Sequence, residues 1–170
     1  MKRALLRAAT VLAAALAIGA MTASSATASP LLQRFSVPSG DNCTYGLTEG
    51  QLEWSSYPAR TVLVTGTIVD RPIQNDTIAC RDDGRYTIAK FTAYGANRVV
   101  DEAAQRVDNG TLRFRFALDA SLSAVAIDLV SIQVCRVVLP TVPTPGPVPP
   151  DYCGRTHFFS PAAITPRAAV

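Results

Sequence analysis

The 170-residue chain has one histidine (His157), one tryptophan (Trp54) and two lysines (Lys2 and Lys90). No C-x-x-C pair is present, and a lone imidazole argues against a zinc site built from cysteine and histidine. G-x-S-x-G, H-E-x-x-H and the P-loop pattern are all missing, which removes the usual signatures of serine hydrolases, zinc proteases and nucleoside triphosphatases. No internal repeat occurs. No apolar run reaches the roughly twenty residues that span a bilayer. The nearest, Ala8 to Ala20, has thirteen. No metal and no cofactor are therefore expected.

That run is nonetheless informative. Lys2, Arg3 and Arg7 precede it, and Ala26-Thr27-Ala28 lies beyond it with an A-x-A spacing. Together they read as a secretory signal peptide over residues 1–28, with cleavage after Ala28 and no stable membrane insertion afterwards. The full chain carries a formal charge of +3, from 16 basic and 13 acidic residues. Removing three basic residues leaves 13 of each sign, so the exported chain has no net field to gather nucleic acid. Asn42, Asn75 and Asn109 begin formal glycosylation sequons, to which no function is attached.

Four cysteines, Cys43, Cys80, Cys135 and Cys153, are an even set in an exported chain and imply two disulfides. Loop entropy does not choose among the three pairings. Between Cys80 and Cys135 lies a run of strands that can hydrogen-bond without a staple, which favours Cys43–Cys80 and Cys135–Cys153.

The body of the chain reads as strands and turns. Thr61 to Val69 is β-branched and stops at Asp70-Arg71-Pro72. Asp83-Gly84 marks a tight turn before a strand from Tyr86 to Tyr94; a calcium role for Asp82 and Asp83 is the weaker reading. Thr111 to Leu118 alternates, with Leu112, Phe114, Phe116 and Leu118 on one side and Arg113 and Arg115 on the other. Ile127 to Val138 is rich in valine and isoleucine, with a phase change between Leu129 and Val130 that predicts a bulge or a later strand start. Val99 to Val107 could take a helical face, but Asn109-Gly110 predicts a type I′ hairpin, so at least Gln105 to Val107 is read as strand. Residues 29–40 and 161–170 are read as loose ends.

Six or seven strands with short turns imply a single all-β domain over residues 41–160. The expected form is an antiparallel β-sandwich, with a small β-barrel as the alternative. The layout resembles an immunoglobulin-like sandwich, although no cysteine pair sits where such domains bridge their sheets. The chain as a whole also resembles small exported proteins of actinobacteria that have no assigned activity. Neither resemblance implies any site residue.

The most distinctive stretch is Pro140 to Pro150, six of whose eleven residues are proline. The residues beyond Pro150 are too few for a second domain, so the stretch reads as a loop between the last two strands, stapled at its base by Cys135 and Cys153. Polyproline geometry stiffens each limb, and Pro145-Gly146 fits the centre of a type II turn. The candidate binding loop is therefore Thr141, Thr144, Pro145, Gly146 and Pro147. A second candidate is a surface patch of Arg113 and Arg115, joined by Lys90 or Arg98 from neighbouring strands. His157 near Ser160 is read as structural rather than catalytic. The functional expectation is a secreted, non-catalytic binding module for an extracellular protein or cell-envelope component. A secreted hydrolase, a protease inhibitor and a structural envelope component are the alternatives.

Overall fold

A computed structural model describes residues 30–40, 46–70, 84–139 and 150–161. These form nine strands: β1 (Leu31–Pro38), β2 (Gly46–Trp54), β3 (Thr61–Asp70), β4 (Arg85–Gly95), β5 (Arg98–Val107), β6 (Gly110–Asp119), β7 (Leu129–Val138), β8 (Tyr152–Cys153) and β9 (His157–Phe159). All ladders are antiparallel, and no α-helix occurs among the described residues. One sheet has the order β1-β2-β3-β6. The other is β5-β4-β7-β8, with β9 also paired to β7. No ladder joins the two sheets among the described residues, so the barrel alternative is set aside.

The alternation along each strand explains the layering. In β6, Phe114 and Leu118 are buried while Arg113, Arg115 and Ala117 are exposed. In β4, Thr87, Ala89, Phe91 and Ala93 point the opposite way from Lys90. The inward sets of both sheets meet in one core that includes Leu52, Trp54, Val64, Ile68, Phe91, Ile132 and Val134. Rings from both sheets interlock edge to face: Phe91 of β4 lies 6.1 Å from Phe35 of β1, 5.5 Å from Phe114 and 5.1 Å from Phe116 of β6. Gly50 and Gly66 face each other across β2 and β3, in the row that holds Phe35 and Phe114. A Cβ on Gly66 would meet the Glu49 carbonyl at 2.4 Å and the Phe114 ring at 3.0 Å, so the missing side chains admit the close backbone of the neighbouring strand as well as the rings.

Several expectations need correction. Residues 31–38 are not loose: they form β1, with Phe35 and Val37 buried. The alternation occupies only the last half of the strand, while Leu31 and Leu32 stay exposed, so the pattern is too short to read. Asn109-Gly110 does not close a hairpin. β5 is a full strand, but it pairs with β4, while β6 pairs with β3 in the other sheet. Only Asn109 has a positive φ, 48°, whereas a type I′ turn needs two such residues. The two-residue hairpin is at Ala96 (φ 49°) and Asn97 (φ 61°), between the paired Gly95 and Arg98.

The strand order also departs from the immunoglobulin arrangement, which places the second strand beside the fifth. Here β2 pairs with its chain neighbour β3. The phase change near Leu129 is a later strand start: β7 begins there, and Ile127 makes a separate bridge to Ala59. Cys135–Cys153 is formed, with a Cα–Cα separation of 4.0 Å. Cys43, Cys80, the 1–28 segment and residues 162–170 lie outside the described residues.

Candidate functional site

Antiparallel pairing sends successive connections to opposite ends of the sheets. The links 55–60, 96–97 and 120–128 share one end and are tied together. Ala59 and Ile127 exchange two backbone hydrogen bonds of 2.9 and 2.7 Å, and the Arg60 guanidinium donates to the carbonyls of Ala120 and Ser123. The links 39–45, 71–84, 108–109 and 139–151 emerge at the other end. This second end carries the two longest connections, 71–84 and 139–151, and the second of these contains the proline-rich stretch.

The candidate loop residues Thr141, Thr144, Pro145, Gly146 and Pro147 lie outside the described residues, but both feet of the stretch are within them. The Leu139 amide donates to the Gly84 carbonyl at 2.8 Å. On the return limb, the Asp151 amide donates to the Arg136 carbonyl at 3.0 Å. The Asp151 carboxylate receives Nε and Nη2 of Arg85, at 2.9 and 2.8 Å. Both donors converge on the one oxygen Oδ2, a charge-assisted contact at a part-exposed site. Next comes the disulfide between facing residues of β7 and β8. Gly154 then donates to the Val134 carbonyl at 2.8 Å, and its own carbonyl accepts from Gln133 at 3.1 Å. The Tyr152 hydroxyl reaches across to the Gly40 carbonyl of the other sheet's terminal link at 3.3 Å. The return limb passes so close to the end of β1 that a Cβ on Gly154 would meet the Ser39 carbonyl at 2.5 Å.

Beneath these feet the two sheets are joined by charge. Arg136 of β7 and Asp70 of β3 form an ion pair with side chains 2% and 1% exposed. The same Arg136 guanidinium donates to the Thr87 hydroxyl of β4, and Asp70 accepts the Asn109 amide at 3.3 Å. Burial raises the Asp70 carboxyl above its ordinary 3.8; the Arg136 guanidinium, the Asn109 amide and the Thr87 hydroxyl pull it back down. Arg136 therefore serves twice. Its backbone holds the return limb at Asp151, and its side chain fixes the facing sheet.

Arg113 and Arg115 are exposed on the outer face of β6, opposite Thr67 and Thr65 of β3. Lys90 and Arg98 do not join them, because β4 and β5 belong to the other sheet. The patch is thus confined to Arg113 and Arg115. His157 lies on β9 opposite Ile132, and among the described residues its side chain makes no hydrogen bond to Ser160.

The sequence reading missed Asp70, Arg85, Arg136 and Asp151. For Arg136 a signal existed: it falls in phase with Ile132 and Val134, so a charge had to be buried and partnered. For Arg85 and Asp151 no spacing rule links positions 66 residues apart. Comparison with protein-family profiles, with characterised proteins and with solved structures finds no match to this chain.

Proposed function

We propose that this chain is an exported, non-catalytic binding module that presents the 140–150 stretch to an extracellular protein or cell-envelope component. The observation that carries the reading is the fixation of both feet, at Leu139–Gly84 and at Asp151–Arg85–Arg136, next to a disulfide. A binding segment whose ends are already ordered loses less entropy when it docks. The disulfide suits an oxidising compartment, and no helix among the described residues is long and apolar enough to cross a membrane.

The test replaces residues 140–150 with a Gly/Ser stretch of equal length and compares capture of extracellular and envelope components from the producing culture. Stability should fall by only about 1–2 kcal/mol, chiefly through the freer unfolded chain. Capture should fall by much more. Equal capture by the variant would reduce the stretch to a connection.

A further inference from the structure

The outer face of the β1-β2-β3-β6 sheet carries charge in columns. Glu49, Gln51 and Glu53 lie along β2, Thr65 and Thr67 along β3, and Arg113 and Arg115 along β6. The ladders put them in rows. Glu49, Thr67 and Arg113 share one row, and Gln51, Thr65 and Arg115 the next. An acidic column and a basic column thus flank a neutral one, each about 4.8 Å from it, and on the far side of the acidic column the exposed Arg34 of β1 stands beside Gln51. Among the described residues neither arginine has a carboxylate within ion-pair distance, and Glu49 is engaged only by the Ser36 hydroxyl, at 2.8 Å.

We propose that this face is the contact surface for a second copy of the chain, in a two-fold dimer whose axis runs parallel to β3 in the plane of the face. Such an axis exchanges the columns on either side of β3 and keeps every residue in its row. Arg113 of the second copy then stands over Glu49. Arg115 of the second copy stands over Gln51, in a row that already holds Arg34, so the Arg113–Glu49 contact carries the attraction. Each contact occurs twice, as an isologous interface requires. Sheets stacked face to face lie about 10 Å apart, a gap that arginine and glutamate side chains close together. An in-plane axis running across the strands would instead set glutamate against glutamate and arginine against arginine, so like-charge repulsion selects the first arrangement.

The overlap of three strands covers about 14 Å by about 30 Å, placing the contact in the small, transient class. Self-association is therefore weak and salt-sensitive. Rotation about an axis parallel to the strands leaves their direction unchanged. Both copies consequently direct the end bearing the 140–150 stretch to the same side. If that stretch binds a partner, the dimer is bivalent toward a surface with repeated ligands. The dimer itself does not depend on that binding.

Sedimentation velocity of the oxidised protein, from about 10 μM to about 1 mM at low ionic strength, tests the proposal without any partner. The expected result is a mass rising toward the dimer with concentration, reversed at about 0.5 M salt. Glu49→Arg and Arg113→Glu should each weaken association at least tenfold, and the double exchange should restore it. Both positions are exposed, and near-ultraviolet circular dichroism confirms that each variant is folded. A wild-type chain that stays monomeric to 1 mM overturns the proposal, as do single reversals that associate like the wild type or a double exchange that does not recover. Each of these outcomes leaves the loop reading standing, since that is judged by capture.

Discussion

Asp70 of β3 and Arg136 of β7 face each other across the gap between the sheets, in an ion pair almost wholly withdrawn from water. Removing one member of a buried pair strands the other, whereas replacing both with apolar groups of similar size is often neutral or stabilising. Arg136→Met should therefore lower the unfolding free energy by about 3–5 kcal/mol at pH 7, and Asp70→Leu/Arg136→Met should recover most of that loss. Urea unfolding of the three proteins checks it. A double variant no more stable than Arg136→Met would show that the pair is an irreplaceable brace.

The same pair fixes the direction of a pH effect. Burial raises the Asp70 carboxyl above 3.8, with Arg136 opposing the rise. A carboxyl raised in the folded state binds protons more readily there than in the unfolded chain. Its contribution to stability is complete below 3.8 and is lost as pH climbs through the folded value. Without the guanidinium the rise is larger, so Arg136→Met should lose stability with pH over a wider window than the wild type. The slope is at most about 1.4 kcal/mol per pH unit. Unfolding curves from pH 4 to pH 8 that run parallel for the two proteins would contradict this account.

Ala96 occupies the left-handed region at φ 49°, a conformation that costs a residue with a Cβ roughly 1–2 kcal/mol. The position is held by the hairpin and by the Asp128 carboxylate, which accepts the Ala96 amide at 3.2 Å. Ala96→Gly relieves the strain but frees the unfolded chain by about 0.5–1 kcal/mol. A net gain of about 0.5 kcal/mol is expected, read as a small rise in Tm. Asp128→Ala should move Tm the other way.

The sequence was legible where one face of a strand is buried and the other wet. Thr111 to Leu118 alternates because Phe114 and Leu118 face the core while Arg113 and Arg115 face water. It was illegible where contacts beyond the strand decide. β2 contains Gly46 and Gly50 and three acidic or amide side chains, so its local preference for strand is poor; the ladders to β1 and β3 hold it. Asn109-Gly110 misled because a hairpin turn and a link between sheets use the same residue types, and only the partner strands tell them apart. The anchoring of the proline stretch was half legible. Cysteines on either side announced the staple, but Arg85 and Asp151 meet only through the β4–β7 and β7–β8 pairings.

Phe35 and Phe114 share a row with the facing glycines Gly50 and Gly66, so β2 and β3 admit no side chain there. A methyl group at Gly66 would meet the Glu49 carbonyl at 2.4 Å and the Phe114 ring at 3.0 Å. Overpacking of this kind costs typically about 1–3 kcal/mol. Gly66→Ala should destabilise the fold by that amount, and Phe114→Leu in the same chain should not recover it, because the closest overlap is with the Glu49 backbone. A Gly66→Ala protein as stable as the wild type would show that the strands can part without loss.

Cys135–Cys153 closes a loop with a sequence separation of 18, for which the chain-entropy relation gives about 3 kcal/mol. β8 is only two residues long, so the disulfide, the Arg85–Asp151 pair and a few backbone hydrogen bonds are what keep it against β7. Cys135→Ala/Cys153→Ala should therefore lose about that much stability, with faster amide exchange concentrated at residues 151–154 rather than spread over β7. With these two cysteines paired, Cys43 and Cys80 remain. They belong to the 39–45 and 71–84 connections, which emerge at the same end of the sheets. Digestion without reductant and mass spectrometry of the peptides should recover Cys43 joined to Cys80. Free thiols at both positions in protein taken from an oxidising medium would leave that end of the molecule held by the ion pair and the single disulfide.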